Sequence, residues 1–489
     1  MGKSRDYGDV GAFLQKLDRQ MFTWKRRTTG HRGGKRHARE LRRRWIRDYK
    51  RRSGMTRLPQ VARAQSIGDL WLKPDVERAL LVLMPTRERT NGPVGRKAAK
   101  TLLYESTSDL LSVDLLNAAN SGGGSIPAVA EAQFGAFTQM RGIYLSALDA
   151  MILPALPDET IASLQDAGAV VLQNEVVMQI APTEAESVSV DTDDWHLDAI
   201  EIDAARRKGL TGRGVTIGFL DTGIDADHPE FTGKQVIFQD FAPDGSKKRK
   251  REPKDYDTHG THVAALSAGR SKGVAPAAQI AMASVLNTRD ANQRIVGYRN
   301  QIAAGLNWLA VEALGLGEGV DIVNASLGQD FDREEYAVAR NYVDSGILIV
   351  AAIGNDGRRG EGHHSAPGMY ECTLAVGAVD RNHSIADFSD WGPAMPASQP
   401  PVYKPDLVAP GVQVSSALPG ARYGLMSGTS MACPIVAGVA ALAIEQDEAL
   451  RGEPTGLIER ILKLTATLPP APNNQPPRGG RGRLHLANI

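Results

Sequence analysis

From about residue 195 onward, short continuous apolar runs alternate with segments whose apolar residues recur every three to four positions. Such short runs are typical of strands buried on both faces, and the longer spacing indicates helices. The runs predict strands at residues 215–220, 280–285, 321–327 and 347–352. The spacing predicts helices at residues 294–314 and 334–344. This alternation predicts an α/β fold with a mostly parallel, doubly wound sheet and helices on both faces.

The preceding region, residues 69–187, shows a smaller pattern of the same kind. Apolar runs predict strands at residues 79–84, 143–148, 169–173 and 176–180, and residues 157–168 are expected to be helical. An acidic, polar stretch at residues 184–194 predicts a linker. We therefore expect three parts: a basic, partly disordered or helical segment (residues 1–68), a small α/β unit (residues 69–187) and a larger α/β domain (residues 195–489).

Charge changes the picture for the first part only. The whole chain has 489 residues and a formal net charge of +1. Residues 25–52, however, contain 14 Lys or Arg and only two acids. Such a run is typical of a solvated arm, and it is also suited to binding nucleic acid or another anionic surface. The sequence leaves both interpretations open.

Two cysteines, Cys372 and Cys433, predict no disulfide framework. No apolar run reaches the 18 residues of a membrane-spanning helix, and the first 50 residues show no secretory signal. The expectation is a cytoplasmic protein without a transmembrane segment. The alternative is secretion by a route that the sequence does not reveal.

Candidate chemistry lies in three glycine-containing stretches of the larger domain. They are Asp221-Thr-Gly-Ile-Asp225, His259-Gly-Thr-His262 and Gly428-Thr-Ser-Met-Ala-Cys-Pro434. An Asp can orient a His, the His can deprotonate a Ser, and the Ser can then attack an acyl carbon. The three stretches together therefore predict nucleophilic acyl-transfer chemistry.

With further matching stretches, residues 195–489 resemble the catalytic domain of the subtilisin-like serine proteases. The additional stretches are residues 214–225, 257–264, 273–276, 324–328, 351–355 and 375–379. The order Asp, His, Ser is the order found in subtilisin. The resemblance implies a triad of Asp221, His259 and Ser430, with Ser430 as nucleophile. It also implies that Asn355 and the Ser430 N–H form an oxyanion hole.

The resemblance implies two substrate-binding segments as well. Ser326, Leu327 and Gly328 correspond to the strand that pairs with an extended substrate. Residues 351–354, which are Ala351, Ala352, Ile353 and Gly354, correspond to the pocket for the side chain before the scissile bond. Ile353 is expected to narrow that pocket. No acid is evident there that would demand a basic side chain, although Asp356 and Glu361 are unplaced.

Alternative residues compete for each role. Asp225 is expected to be a turn residue, and His262 and Cys433 are expected to be packed structural residues. A zinc site is not expected, because a third ligand and a His-Glu-x-x-His pattern are missing. The proposed reaction needs no cofactor. Calcium is conceivable, but the usual calcium-binding loop between His259 and Gly273 is expected to be absent.

The small α/β unit weakly resembles the inhibitory propeptide of the same proteases. Such a unit would occupy the substrate strand until it is cut away, with the cut expected in residues 182–195. The alternative is a permanent scaffold or partner-binding domain. The sequence thus predicts a serine endopeptidase acting on polypeptides, and it leaves autoinhibition and regulation by a partner as open alternatives. The competing hypothesis is a binding protein whose proteolysis is secondary or lost.

Overall fold

A computed structural model describes the chain at residues 80–83, 143–145, 147, 150–153, 161, 170–179, 183–188, 194–248, 252–315, 319–330, 332–396, 401–468 and 478–489. Contacts divide the chain into two units, Met1–Ser66 and Ile67–Ile489. The first unit lies outside the described residues, and so does all but one position of the helix expected at residues 157–168. The described helices and strands therefore all belong to the second unit.

The strands in chain order are β1 (Leu80–Leu83), β2 (Ile143–Leu145), β3 (Ala150–Leu153), β4 (Val170–Gln173), β5 (Val176–Gln179), β6 (Thr183–Val188), β7 (Thr216–Asp221), β8 (Val236–Asp240), β9 (Gln279–Ser284), β10 (Thr288–Arg289), β11 (Ile295–Tyr298), β12 (Ile322–Ala325), β13 (Leu327–Gly328), β14 (Leu348–Ala352), β15 (Leu374–Val379), β16 (Gly392–Pro393), β17 (Tyr403–Lys404), β18 (Leu407–Pro410), β19 (Val414–Leu418), β20 (Arg422–Ser427), β21 (Thr465–Ala466) and β22 (Arg483–Leu484). The α-helices are α1 (Trp195–Ala199), α2 (Asp203–Arg207), α3 (His259–Ala268), α4 (Arg299–Val311), α5 (Arg333–Asp344), α6 (Thr429–Gln446) and α7 (Pro454–Leu462). Short 3₁₀ turns lie at Pro229–Phe231, Gly357–Arg359 and Glu448–Leu450.

The main sheet of the described residues has nine strands in the order β21-β22-β18-β15-β14-β12-β7-β9-β8. Neighbouring strands run parallel except β21 and β22 at one edge. Strands buried on both faces explain the continuous apolar runs of the sequence. The predicted α/β class with a mostly parallel sheet is confirmed.

Helices cover both faces of this sheet. Ile217 and Phe219 of β7 point into the core shared with α3 and α6. Leu220 of the same strand points into a second core shared with α4 and α5. Successive strand residues face opposite sides, so one strand supplies both cores. The carboxyl ends of the parallel strands consequently meet at one edge, where such folds place their sites.

One helix, α6, is apolar along nearly its whole length. By length and composition it could cross a bilayer, but 89% of it is buried inside the fold. It contacts β12, β14, β15 and β18 as well as α3. The helix is therefore a core helix that brings its N-terminus to the edge where the strands end.

Two expectations about local structure were wrong. The stretch predicted as one helix over residues 294–314 begins as β11, and only then continues as α4. The predicted linker at residues 184–194 is strand β6 through Val188, and β6 pairs with β20. In both places pairing with a distant strand overrides the local pattern.

The small unit is an antiparallel sheet in its described part, with the order β2-β3-β1-β4. Leu81, Leu145 and Ile152 of this sheet belong to the same core as residues of α4. The next strand, β5, leaves this sheet and lies between β11 and β13 of the larger domain.

Candidate active site

Asp221 ends β7 and His259 begins α3. Their fully buried side chains are joined by a hydrogen bond of 2.8 Å between His259 Nδ1 and Asp221 Oδ1. The same Oδ1 accepts a hydrogen bond from the Thr222 N–H at 2.7 Å. The turn that follows requires Gly223, because its φ is +122° and a Cβ would lie 1.9 Å from the Lys254 carbonyl oxygen. The glycine that follows Asp221 in the sequence therefore permits the turn that places Asp221 next to His259.

The charge state of His259 follows from its surroundings. Burial alone would lower its pKa, but the charge and hydrogen bond of Asp221 outweigh burial and raise the pKa above 6.5. An acceptor at Nδ1 holds the proton on that nitrogen, so Nε2 is left to accept one. Nε2 is buried and has no hydrogen-bond partner within the described part of the chain. The ring is thus arranged as a base.

A second, partly buried carboxylate, Asp255, connects the two elements that carry the pair. It accepts hydrogen bonds from Thr222 Oγ1 at 2.6 Å and from the N–H and hydroxyl of Thr261 at 2.8 and 2.6 Å. Thr222 Oγ1 in turn accepts from the Gly260 N–H at 2.9 Å. Asp255 therefore ties the turn after β7 to the first turn of α3. Asp255 was not predicted from the sequence, although it lies four residues before His259.

Ser430 is the second residue of α6, where N–H groups of the first helical turn favour negative charge. Asn355 lies beside it, because Asn355 Oδ1 accepts from the Thr429 N–H at 2.9 Å and the Thr429 hydroxyl at 3.0 Å. Ser326 Oγ donates to the Ser430 carbonyl oxygen at 3.1 Å. Asn355 therefore contacts the residue before the predicted nucleophile, and Ser326 contacts the backbone of the nucleophile itself.

The alternative residues have other partners. His262 Nε2 lies 3.1 and 3.2 Å from the carbonyl oxygens of Val414 and Gly424, and burial lowers its pKa to about 3. Asp225 accepts from the Gly420 N–H at 2.7 Å in a surface turn. Cys433 Sγ donates to the Val350 carbonyl oxygen at 3.3 Å. These contacts are those of structural residues.

The predicted substrate strand, Leu327–Gly328, is already paired. Strand β5 forms antiparallel ladders with β13 on one side and with β11 on the other. Val176 and Met178 of β5 are about half exposed, at 46% and 47%, whereas Val177 is buried at 1%. Val177 points into an apolar cavity of about 80 Å³. A segment of the chain itself thus occupies the position that the resemblance assigns to substrate.

The predicted pocket residues lie at and just beyond the end of β14. Ala351, Ala352 and Ile353 are fully buried, and Gly354 has a φ of +120°. A buried acid, Asp390, lies against Gly354. Its position was not predicted, because no spacing along the chain relates it to this pocket.

No group of three or more His, Cys, Asp or Glu side chains that could hold a metal ion occurs among the described residues. The two cysteines are buried and free. Asp194–Lys272 and Lys404–Asp406 are ion pairs away from the site. Asp221 and Asp255 are instead hydrogen-bonded to imidazole, amide and hydroxyl groups.

Comparisons with known proteins agree with this arrangement. A family model described as the subtilase family matches residues 212–482. M-protease of Shouchella clausii is 36% identical over 52% of this chain and 60% of its own length. Subtilisin Savinase of Lederbergia lenta is 36% identical over 52% of this chain and 84% of its own length. The major intracellular serine protease of Bacillus subtilis is 35% identical over 49% of this chain and 72% of its own length. The chain thus spans less than two thirds of the length of some relatives, including M-protease.

Proposed function

The chain belongs to the subtilase family, and we propose that it is a serine endopeptidase that cleaves peptide bonds through an acyl-enzyme. The hydrogen bond of 2.8 Å between fully buried Asp221 and His259 carries this proposal. It leaves His259 Nε2 without a hydrogen-bond partner among the described residues, and therefore available to accept a proton. The substrate is a polypeptide, and the reaction needs no cofactor.

The proposed mechanism uses only groups of this chain. Ser430 Oγ attacks the carbonyl carbon while its proton passes to His259 Nε2. The peptide C–N bond then breaks, and the leaving amine takes that proton. Water attacks the resulting ester, again losing a proton to His259, and releases the carboxylate product and Ser430. Asp221 stabilises the imidazolium, and Asn355 with the Ser430 N–H stabilises the oxyanion.

A fluorophosphonate probe tests the proposal, because it labels only an activated serine and has no side-chain requirement. We expect the full chain to be labelled and Ser430→Ala to lose labelling completely. Ser345→Ala removes a hydroxyl that donates to the Tyr342 carbonyl oxygen, and this variant should label like the unsubstituted chain. Persistent labelling of Ser430→Ala would refute the assignment of the nucleophile.

We further propose that residues 69–187 act as an inhibitory unit, distinct from a peptidase domain at residues 195–489. Two observations support this. Strand β5 lies between β11 and β13, and β6 pairs with β20, whose last residue precedes Gly428. Strand addition of this kind supplies main-chain hydrogen bonds with little dependence on sequence. The same segment would exclude other polypeptides from the groove.

The basic residues 25–52 support a second proposal, binding of nucleic acid or another anionic surface. They lie outside the described residues, so the proposal depends on their charge alone. Binding that depends on phosphate neutralisation weakens as salt rises, because condensed counterions are released. A heparin or DNA titration at several salt concentrations tests it, and affinity that does not change with salt would contradict it.

A further inference from the structure

The pocket predicted for the side chain before the scissile bond is closed at its base by residues 365–366. The Ser365 N–H donates to the Ile353 carbonyl oxygen at 2.9 Å. Ala366 and Gln329 exchange two hydrogen bonds, at 2.9 and 3.2 Å. Ile353 belongs to the wall at residues 351–354. Gln329 directly follows β13, which forms the other wall. The segment joins both walls and forms the floor between them.

Asp390 lies at the corner where this floor meets the first wall. Its N–H donates to the Gly354 carbonyl oxygen at 3.1 Å. A Cβ on Gly354 would lie 2.0 Å from Asp390 Oδ2 and 3.1 Å from Ser365 Oγ. The carboxylate is therefore packed against the Gly354 backbone, next to the hydroxyl of the floor. Only glycine leaves room for it.

This carboxylate has unusually little compensation for its burial. Asp390 is 1% exposed, and neither carboxylate oxygen has a hydrogen-bond partner of good geometry among the described residues. The Asp356 N–H and the positive charges of Arg359 and Arg478 favour the charged form of Asp390 but do not outweigh its burial. Burial, together with the negative charge of Asp356, raises the pKa of Asp390 to about 8.

The two neighbouring arginines are engaged elsewhere. Arg359 forms an exposed ion pair with Asp356 at 3.3 Å. Arg478 donates to the carbonyl oxygens of Asp387 and Ser389. A buried carboxylate without a close cation is costly, and a positively charged ligand group would remove that cost.

We propose that Asp390 is a specificity-determining residue that selects substrates with arginine or lysine before the scissile bond. The inference rests on the proposed peptidase function and names its substrate class. The long apolar stem of arginine or lysine can lie along the backbone of residues 351–354 while the charged end reaches the base of the pocket. The terminal guanidinium or ammonium then forms a charge-assisted hydrogen bond with Asp390.

Two tripeptidyl diphenyl phosphonates that differ only in arginine or leucine next to phosphorus test the proposal on the full chain. Strand β5 must leave the groove before either probe binds, so its occupancy scales both rates by the same factor. The ratio of the two labelling rates therefore reports the pocket alone. We expect the arginine probe to react about tenfold to hundredfold faster, as one charged hydrogen bond implies.

Asp390→Asn should bring this ratio close to one, because the amide keeps the volume and loses the charge. Asp203→Asn is the control, since it removes an exposed acid of α2 and should leave the ratio unchanged. Asp390→Ser provides a second test should the asparagine variant fail to fold.

A ratio of one or less in the unsubstituted chain overturns the proposal whatever the variants do. So does a high ratio that survives in Asp390→Asn. An arginine preference that emerges only after chelation with EDTA would show that a metal ion is the resident partner of Asp390, which also overturns it. Absence of fluorophosphonate labelling would instead refute the proposed peptidase function, so the two failures are distinguishable.

Discussion

Three carboxylates of the active-site region have different partners, and the partners separate their roles. Asp221 faces an imidazole, which it can keep in one tautomer. Asp255 is saturated by hydroxyl and amide donors from Thr222 and Thr261. Asp390 has neither. Because a buried charge needs compensation, the second is suited to positioning and the third to binding a cationic group.

The pH dependence of the proposed reaction should reflect these carboxylates. His259 must be neutral to accept a proton, and its pKa is raised above 6.5. The fluorophosphonate labelling rate should therefore fall as the pH drops through an apparent pKa above that value. Asp255 contributes to the raised pKa, so Asp255→Asn should move the midpoint to lower pH. Rates measured across the neutral range test this.

A matched control is Asp203→Asn, which replaces an exposed acid of α2 and should leave the midpoint in place. A midpoint that stays fixed in Asp255→Asn would show that Asp255 acts only through its hydrogen bonds. A midpoint that moves to higher pH would contradict the expectation that Asp255 raises the pKa of His259.

Among the secondary-structure elements, β5 is fixed by hydrogen bonds to β11 and β13, and the residues just before it make further contacts with α4. The Arg299 N–H donates to the Glu175 carbonyl oxygen at 2.9 Å, and the Arg299 side chain contacts Gln173 and Glu175. Asn174 Oδ1 accepts from the Asn300 N–H in the first turn of α4 at 2.9 Å. A residue of the small unit thus satisfies an otherwise unpaired N–H of a helix in the large domain.

Alternation along β5 provides a matched pair of substitutions. Val177→Asp places a charge in the apolar cavity, so occupancy of the groove should fall and labelling should accelerate by about tenfold or more. Met178→Asp adds the same charge on the exposed face of the same strand and should have little effect. Equal rates for both variants, measured with the fluorophosphonate, would contradict occupancy of the groove by β5.

At the scale of the whole molecule, residues 67–489 form one unit rather than two independent ones. The small sheet and α4 share a core. Release of the small unit would therefore expose apolar surface on α4. This coupling favours inhibition that persists until the chain is cut or a partner replaces the small unit.

Intact mass spectrometry tests how that inhibition ends. If the proposed peptidase processes itself, the purified chain should lose its N-terminal part by a cut within residues 182–195, whereas Ser430→Ala should stay whole. An intact and fully active 489-residue chain would contradict an inhibitory role. A chain that stays intact, reacts with the fluorophosphonate and cleaves no polypeptide would favour release by a partner.

The apolar runs correctly predicted four strands of the main sheet, β7, β9, β12 and β14, since a strand buried on both faces must be apolar throughout. They failed where pairing is non-local. β11 resembled the first turn of a helix, and β6 resembled a polar linker; each is extended because β5 or β20 lies beside it. The local sequence pattern contains no information about a partner strand more than a hundred residues away in the chain.

The amino-acid sequence alone determined the α/β class and placed Asp221, His259, Asn355 and Ser430 in glycine-containing turns, because those turns are local and leave a local signature. Only the tertiary structure decided that Asp255 ties two elements together, that β5 pairs with both β11 and β13, and that Asp390 lies against Gly354. The physical reason is that hydrogen bonding and desolvation depend on distances through space, which the order of residues does not contain.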